Sequence, residues 1–184
     1  MNLNEYLTDV KTELYNLKTQ AEKALEQVSN EDFFKLIDPE ANSIAQLVKH
    51  ISGNMRSRWR DFLTTDGEKP DRHRDTEFVI SNNDTRNALM KRWNESWEIL
   101  RNTLESLAPD DLDKTIIIRT KEGKVFSAIH RQMTHYSAHV GQILMLAKHF
   151  AGQNWQTLSI AKGKSDEFFY SVKKDSAVKF KPGL

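Results

Sequence analysis

Apolar residues recur at spacings of three and four in four long stretches of this 184-residue sequence, with charged residues between them. This spacing places the apolar side chains on one face of a helix, so it predicts amphipathic helices of bundle length. The fourth stretch is apolar on more than one side and should lie centrally in the core. The pattern predicts an all-α, four-helix bundle, with helices over about residues 3–28, 43–63, 82–107 and 127–150.

The sequence also marks helix ends and connections. Asn42 or Ser43 can cap the second helix, and Gly152 can cap the C-terminal end of the fourth. Residues 29–42 contain an Asp-Pro step and predict a connection that packs on the bundle without continuing the helix. Residues 64–81 predict a polar loop that is long for a helix connection, and such loops are often mobile or functional.

A β-branched run precedes the last predicted helix. Residues 115–118 form this run, and the turn signature Lys121-Glu122-Gly123-Lys124 follows it, which predicts a short hairpin-like excursion. Residues 153–184 would be a C-terminal extension of a single domain, residues 1–184. Its scattered aromatic residues predict partial packing across the bundle, with mobile last residues.

Composition narrows the function classes. The chain has no cysteine, so disulfides, a protein thiol nucleophile and a Cys-based zinc site are excluded. The net charge is +1 with acids and bases interspersed, which argues against nucleic acid or an anionic membrane as partner. Arg56, Arg58 and Arg60 cluster on one helix and residues 173–181 are basic, but both are more typical of solvated faces. The absence of a signal-like or membrane-spanning run near the N-terminus predicts a soluble, cytoplasmic protein.

Three histidines carry the candidate chemistry. His135 and His139 are four residues apart in a helical segment, so both imidazoles project from the same helix face one turn apart and can bind one metal ion. His50 lies beside the inward stripe of the second helix and could supply a third nitrogen. Three neutral imidazoles leave a coordination position open, as catalytic metal sites do. The alternative is a solvated or hydrogen-bonded histidine pair without a metal.

Polar residues near these histidines could support the site. Asn54, one turn after His50, and Gln142, three residues after His139, could each orient an imidazole or a metal-bound water. The zinc-protease pattern His-Glu-x-x-His is missing, so peptidase chemistry is not expected. Because no carboxylate base is apparent, the metal would itself activate a bound water or an external thiol.

The histidine pattern resembles the DinB/YfiT-like superfamily over about residues 1–150. In residues 135–142 a His, three residues, a second His, one residue and Gly-Gln follow one another, as in the signature of that superfamily. Residues 47–55, around His50, and residues 58–67 are similar to a bacterial branch whose function is unassigned.

The resemblance implies an up-down-down-up bundle, zinc or nickel on the histidine triad, and frequent dimerisation. It also implies chemistry with a low-molecular-weight thiol such as bacillithiol, or a metal-dependent hydrolase-like activity. An arginine that helps bind an anionic substrate in many relatives is replaced here by Val140.

These observations favour a divalent-metal-binding protein that acts as a metal-dependent thiol S-transferase on a small-molecule substrate. A metal-hydroxide hydrolase and a non-catalytic, stress-related helical dimer are the alternatives. The four tryptophans supply more large aromatic surface than one four-helix core needs to bury, which predicts a homodimer. The metal is expected at an open end of the bundle, with residues 64–81 near enough to shape access. The four tryptophans are Trp59, Trp93, Trp97 and Trp155.

Overall fold

Helices make up most of the chain in the computed structural model, which describes residues 2–175. Four of them are long, as the apolar spacing predicts, and the all-α class is consistent with the structure. Short 3-10 turns occur at Arg74–Phe78, Pro109–Asp113 and Gly152–Asn154. The helices are α1 (Leu3–Leu25), α2 (Asn30–Phe34), α3 (Ile44–Trp59), α4 (Arg86–Ser106), α5 (Val125–Ala151) and α6 (Ser165–Asp175).

Two predicted helix ends are confirmed. The Ser43 side chain accepts a hydrogen bond from the amide of Gln46, and the Gln46 side chain accepts one from the amide of Ser43, which together form a capping box at the start of α3. At the other site, Gly152 caps α5 directly after its last residue, with a φ of 54° that is readily adopted only by glycine. α3 ends at Trp59 rather than near Leu63, and α5 begins two residues earlier than predicted.

Each long helix contacts two others. α1 lies beside α5 and α4, while α3 lies beside α4 and α5. The helices bury apolar side chains between them, among them Ile51, Trp93, Ile129 and Tyr136, each with no exposed surface. This packing sets the face of α3 that carries His50 against the face of α5 that carries His135 and His139. The up-down-down-up bundle order stays a prediction.

The hairpin excursion is confirmed, but its predicted turn is wrong. Strands β1 (Thr115–Ile118) and β2 (Lys121–Lys124) pair in antiparallel fashion, so the segment predicted as the turn is itself a strand. The turn is formed by Arg119 and Thr120, with φ values of 54° and 63°. The Asp66 carboxylate accepts hydrogen bonds from both of their amides at 2.8 Å. A distant side chain therefore stabilises a conformation that non-glycine residues rarely adopt.

The arginine cluster on α3 divides between interior and surface. Arg56 and Arg60 lie on the surface beside Asp71, as expected of a solvated face. Arg58 is buried, so for this residue the prediction is wrong; its guanidinium donates to the Gly67 carbonyl and to the Glu68 carboxylate. These alternate positions have different surroundings because α3 ends here and the following loop folds back over it.

The predicted C-terminal extension contacts the turn after α1 near its own first residues. The side chain of Gln27 donates to the carbonyl of Gln156 and accepts from its amide, at 3.1 and 2.7 Å. Trp155 is partly buried against the core. The last residues, for which the sequence predicts mobility, lie outside the described residues. Most of the basic segment 173–181 also lies outside them. No helix within residues 2–175 is both long enough and apolar enough to cross a membrane.

The tryptophans on which the dimer prediction rests are mostly buried. Trp59, Trp93 and Trp97 are at most 4% exposed within one chain. They pack in the chain's own core, so they do not supply the surplus aromatic surface on which the prediction relied. Homodimerisation stays a prediction that must rest on other surfaces.

Candidate metal centre

The imidazoles of His50, His135 and His139 converge on one point between α3 and α5. The Nε2 atom of His135 lies 3.2 Å from Nε2 of His50 and 3.2 Å from Nε2 of His139. One ring nitrogen from each residue lies within 4.8 Å of the other two. Among the described residues, this group of three histidines is a set that could hold a metal ion, and it includes no carboxylate.

Hydrogen bonds on the outer sides of two rings determine where their protons lie. Nδ1 of His50 lies 2.8 Å from the Oε2 atom of Glu77, and Nδ1 of His139 lies 2.8 Å from the Oε1 atom of Gln142. Both oxygens are acceptors, so both Nδ1 atoms carry a proton and donate it. In the neutral imidazoles the Nε2 atoms of His50 and His139 therefore have free lone pairs that face His135.

The donor set fits a divalent metal ion. Two nitrogens on one tetrahedral zinc ion at about 2.0–2.1 Å are about 3.3 Å apart, close to the two observed separations of 3.2 Å. Without a cation, a single proton on Nε2 of His135 would have to serve two lone pairs. A metal ion satisfies all three lone pairs at once, and imidazole nitrogen suits zinc and nickel alike.

Burial keeps two of these histidines neutral. Burial is the main cause that lowers the pKa of His135, to about 4, and the neighbouring imidazoles of His139 and His50 lower it further. Burial also lowers the pKa of His139, although the hydrogen bond with Gln142 opposes the change. Since only a neutral imidazole can bind a metal, this environment favours the binding form near neutral pH.

Glu77 is a site residue that the sequence reasoning missed. It lies in the long loop, 27 residues after His50, and is 6% exposed. Its carboxylate also accepts two hydrogen bonds from Arg72, at 2.9 and 3.0 Å. The neighbouring Phe78 ring stacks on His50, with centroids 4.7 Å apart. Only the charged composition of the loop hinted at this role, and no spacing rule connects a loop residue to a helix before it.

The two residues expected to orient the site occupy different places. Gln142 contacts His139, as described above. Asn54 does not contact an imidazole through its side-chain carbonyl, which accepts a hydrogen bond from the Tyr136 hydroxyl at 3.1 Å. The same hydroxyl accepts a hydrogen bond from the Trp59 indole at 2.9 Å. Asn54 therefore belongs to a buried network that positions Tyr136, the residue next to His135.

The other histidines of α5 and the loop stay outside the cluster. His130 is exposed and packs edge-on against the rings of Tyr6 and Phe126. His149 is exposed in the last turn of α5. His73 is also exposed, although the loop that carries it does fold against His50.

The chain belongs to a family described as protein of unknown function (DUF1572), which matches residues 2–164. The family description names neither the DinB-like superfamily nor an activity, so that resemblance stays a prediction. No curated protein and no solved structure matches the chain. The histidine cluster therefore provides the main evidence about function.

Proposed function

We propose that this protein is a DinB-like divalent-metal-binding protein whose four long helices form an up-down-down-up bundle. The convergence of three Nε2 atoms on one point carries the proposal. Zinc and nickel are the proposed metals, because both accept neutral imidazole ligands and leave positions for exchangeable ligands. We also propose a cytoplasmic location, in keeping with a chain that has no cysteine.

The proposed activity is transfer of a low-molecular-weight thiol, such as bacillithiol, to an electrophilic small molecule. In this reaction the thiolate sulfur displaces a leaving group from carbon, and the thiol proton passes to solvent. The cluster contains no carboxylate that could act as the base. A bound metal ion would supply this function by lowering the pKa of the thiol.

Cationic side chains near the cluster support an anionic cosubstrate. The positive charges of Arg72 and Arg131 contribute to the lowered pKa of His135. Arg74 lies over the Phe78 ring, 5.4 Å from its centroid, and Phe78 in turn stacks on His50. Arg72 is already paired with Glu77, so Arg74 and Arg131 are the arginines that could favour a thiolate, even though Val140 occupies the position where many relatives carry an arginine.

Turnover in the presence and absence of thiol tests the proposed activity. Zinc- or nickel-loaded protein should convert an electrophile such as 1-chloro-2,4-dinitrobenzene only when bacillithiol or another small thiol is added. The His135→Ala variant should lose this activity. Hydrolysis of an ester substrate at the same rate with and without thiol would favour a metal-hydroxide hydrolase instead. No metal uptake and no turnover would favour a non-catalytic helical protein with a hydrogen-bonded histidine cluster.

We further propose a homodimer built on the groove between α1 and α4. The buried residues Leu14, Leu100 and Leu104 form the apolar floor of this groove, whose volume is about 590 Å³. Lys11 and Lys18 border it on the α1 side, and Glu98 and Glu105 border it on the α4 side. Arg101 also lies on the α4 side and pairs with both glutamates, so the exposed ring of Tyr15, which lines the groove, is the surface that a second copy would bury.

A further inference from the structure

The side of His50 that faces away from the cluster is occupied by a single carboxylate. Oε2 of Glu77 lies 2.8 Å from Nδ1 of His50, and both residues are at least 94% buried. We propose that Glu77 is a positioning residue, whose carboxylate holds the proton of His50 on Nδ1 and so keeps the Nε2 lone pair available to a metal ion. This inference rests on the proposed metal site. It makes the loop between α3 and α4 a component of the centre.

Arg72 keeps the Glu77 carboxylate ionised and fixed in direction. Its Nε donates to Oε1 and its Nη2 donates to Oε2, so the pair is bidentate. Arg72 also contacts Glu68, which pairs with Arg58 of α3. The carboxylate therefore has little freedom to turn away from the imidazole.

Gly53 provides the space that the Glu77 side chain occupies. It lies on α3, three residues after His50, on the side where the loop approaches the helix. A Cβ atom at this position would lie 2.4 Å from Oε1 and 2.8 Å from Cδ of Glu77, well inside contact distance. Any larger residue would displace the carboxylate from His50. This close approach explains why a glycine is accommodated in the interior of α3, where it costs helix stability.

Two further contacts hold the loop against His50. The side chain of Gln46, one turn before His50, donates to the carbonyl of Phe78 at 2.6 Å. Lys49 donates to the carbonyl of Val79 at 2.7 Å. These two hydrogen bonds fix the residues that follow Glu77 on α3. Because Arg72 precedes Glu77, the loop holds the carboxylate in place from both sides of the sequence.

The decisive experiment measures the protonation of the His50 ring nitrogens in metal-free protein. Two-dimensional ¹H–¹⁵N NMR at neutral pH distinguishes a protonated Nδ1 from a protonated Nε2. The wild-type protein should show His50 in the form protonated on Nδ1. In Glu77→Ala and Gly53→Ala, the ring should shift toward the form protonated on Nε2. A wild-type ring protonated on Nε2 would overturn the proposal, whether or not the protein binds metal.

Metal affinity provides the second readout. Competition with a chromophoric chelator should show zinc binding weakened by about 10- to 100-fold in Glu77→Ala and Gly53→Ala, the range typical when the carboxylate partner of a ligand histidine is removed. Gly141→Ala is the matched control. It also adds a methyl group to a glycine in a helix that carries the histidines, but apart from its chain neighbours and the adjacent turns of helix backbone, the added Cβ would meet no atom within 4 Å. Its affinity and NMR spectrum should match those of the wild type.

A conservative variant separates positioning from folding. If Glu77→Ala or Gly53→Ala does not fold, Glu77→Gln retains the size of the side chain and an oxygen that can accept from Nδ1. We expect it to keep the wild-type form of His50 and most of the affinity. Variants that fold and bind zinc as tightly as the wild type, with His50 unchanged, would overturn the proposal. If the wild type itself binds no metal, the proposed function fails, and the NMR result still tests the contact with Glu77.

Discussion

The Nε2 atoms of His50 and His135 lie 3.2 Å apart, although 85 residues separate the two histidines along the chain. Because these atoms and Nε2 of His139 form the donor set, we expect about one divalent ion per chain. His135→Ala or His139→Ala should abolish stoichiometric binding, as measured by elemental analysis of protein purified without a histidine tag. His149→Ala is the matched control on α5 and should keep the metal. Full metal content in the His135→Ala/His139→Ala double variant would contradict the assignment.

Metal binding should stabilise the folded chain. The three imidazoles meet only in the native state, so a bound ion raises the melting temperature and a chelator lowers it. Protons compete with the metal for the same nitrogen atoms, so the stabilisation should shrink as the pH falls from 7 to 4. Calorimetry with and without chelator at each pH measures this difference. A difference that stays constant over this range would exclude histidine ligands.

Glu68 should make stability depend on pH in the acid range. Burial alone would raise its pKa, but hydrogen bonds from Arg119 and Arg58 and the charges of Arg58 and Arg72 lower the pKa from 4.5 to about 2. Between these values the unfolded chain binds a proton that the folded chain does not. The stabilisation is therefore complete above pH 4.5 and is lost as the pH falls toward 2.

We expect this loss to reach about 2 kcal/mol between pH 5 and pH 3. In urea unfolding, the decrease in the free energy of unfolding over this pH range should be larger by this amount in the wild type than in Glu68→Gln. Glu95→Gln, which alters an exposed glutamate on α4, should follow the wild type. Parallel pH curves for the wild type and Glu68→Gln would contradict the assigned pKa.

The hairpin turn is strained at Thr120. Its φ of 63° is unfavourable for a β-branched residue, whereas glycine adopts it freely. Thr120→Gly should therefore raise the free energy of unfolding by about 0.5–1 kcal/mol, since the strain relieved exceeds the added chain entropy. Lys121→Gly, at the first position of β2, should instead lower it. Chemical denaturation measures both changes, and a destabilised Thr120→Gly would show that the turn differs from this structure.

Tyr15 tests the proposed dimer. Its side chain is 68% exposed on α1 and borders the groove between α1 and α4. If a second copy covers this groove, Tyr15→Asp should convert the dimer to a monomer in light scattering at micromolar concentration. Tyr170→Asp, with a similar exposure of 67% on α6, should leave the dimer intact. A wild type that is monomeric under these conditions would remove the proposal.

The sequence alone predicts the helices and two of the contacts at the site. Periodicity places four long helices to within a few residues at most ends, because the spacing of buried residues follows directly from helix geometry. The four-residue interval between His135 and His139 likewise places both rings on one face of α5. Gln142 is three residues further along the same helix, so its contact with His139 is also local. Each of these relations depends on one helix and its regular repeat.

Tertiary structure decided the contacts that join distant segments. The left-handed turn at Arg119 and Thr120 depends on Asp66, more than 50 residues earlier, so local turn signals placed it wrongly. Arg58 is buried because the loop after α3 folds back and supplies Glu68. Most importantly, Glu77 reaches His50 only because Gly53 leaves room for it. The conformation of that loop depends on interactions with α3 and β1, and no periodic pattern along the chain encodes them.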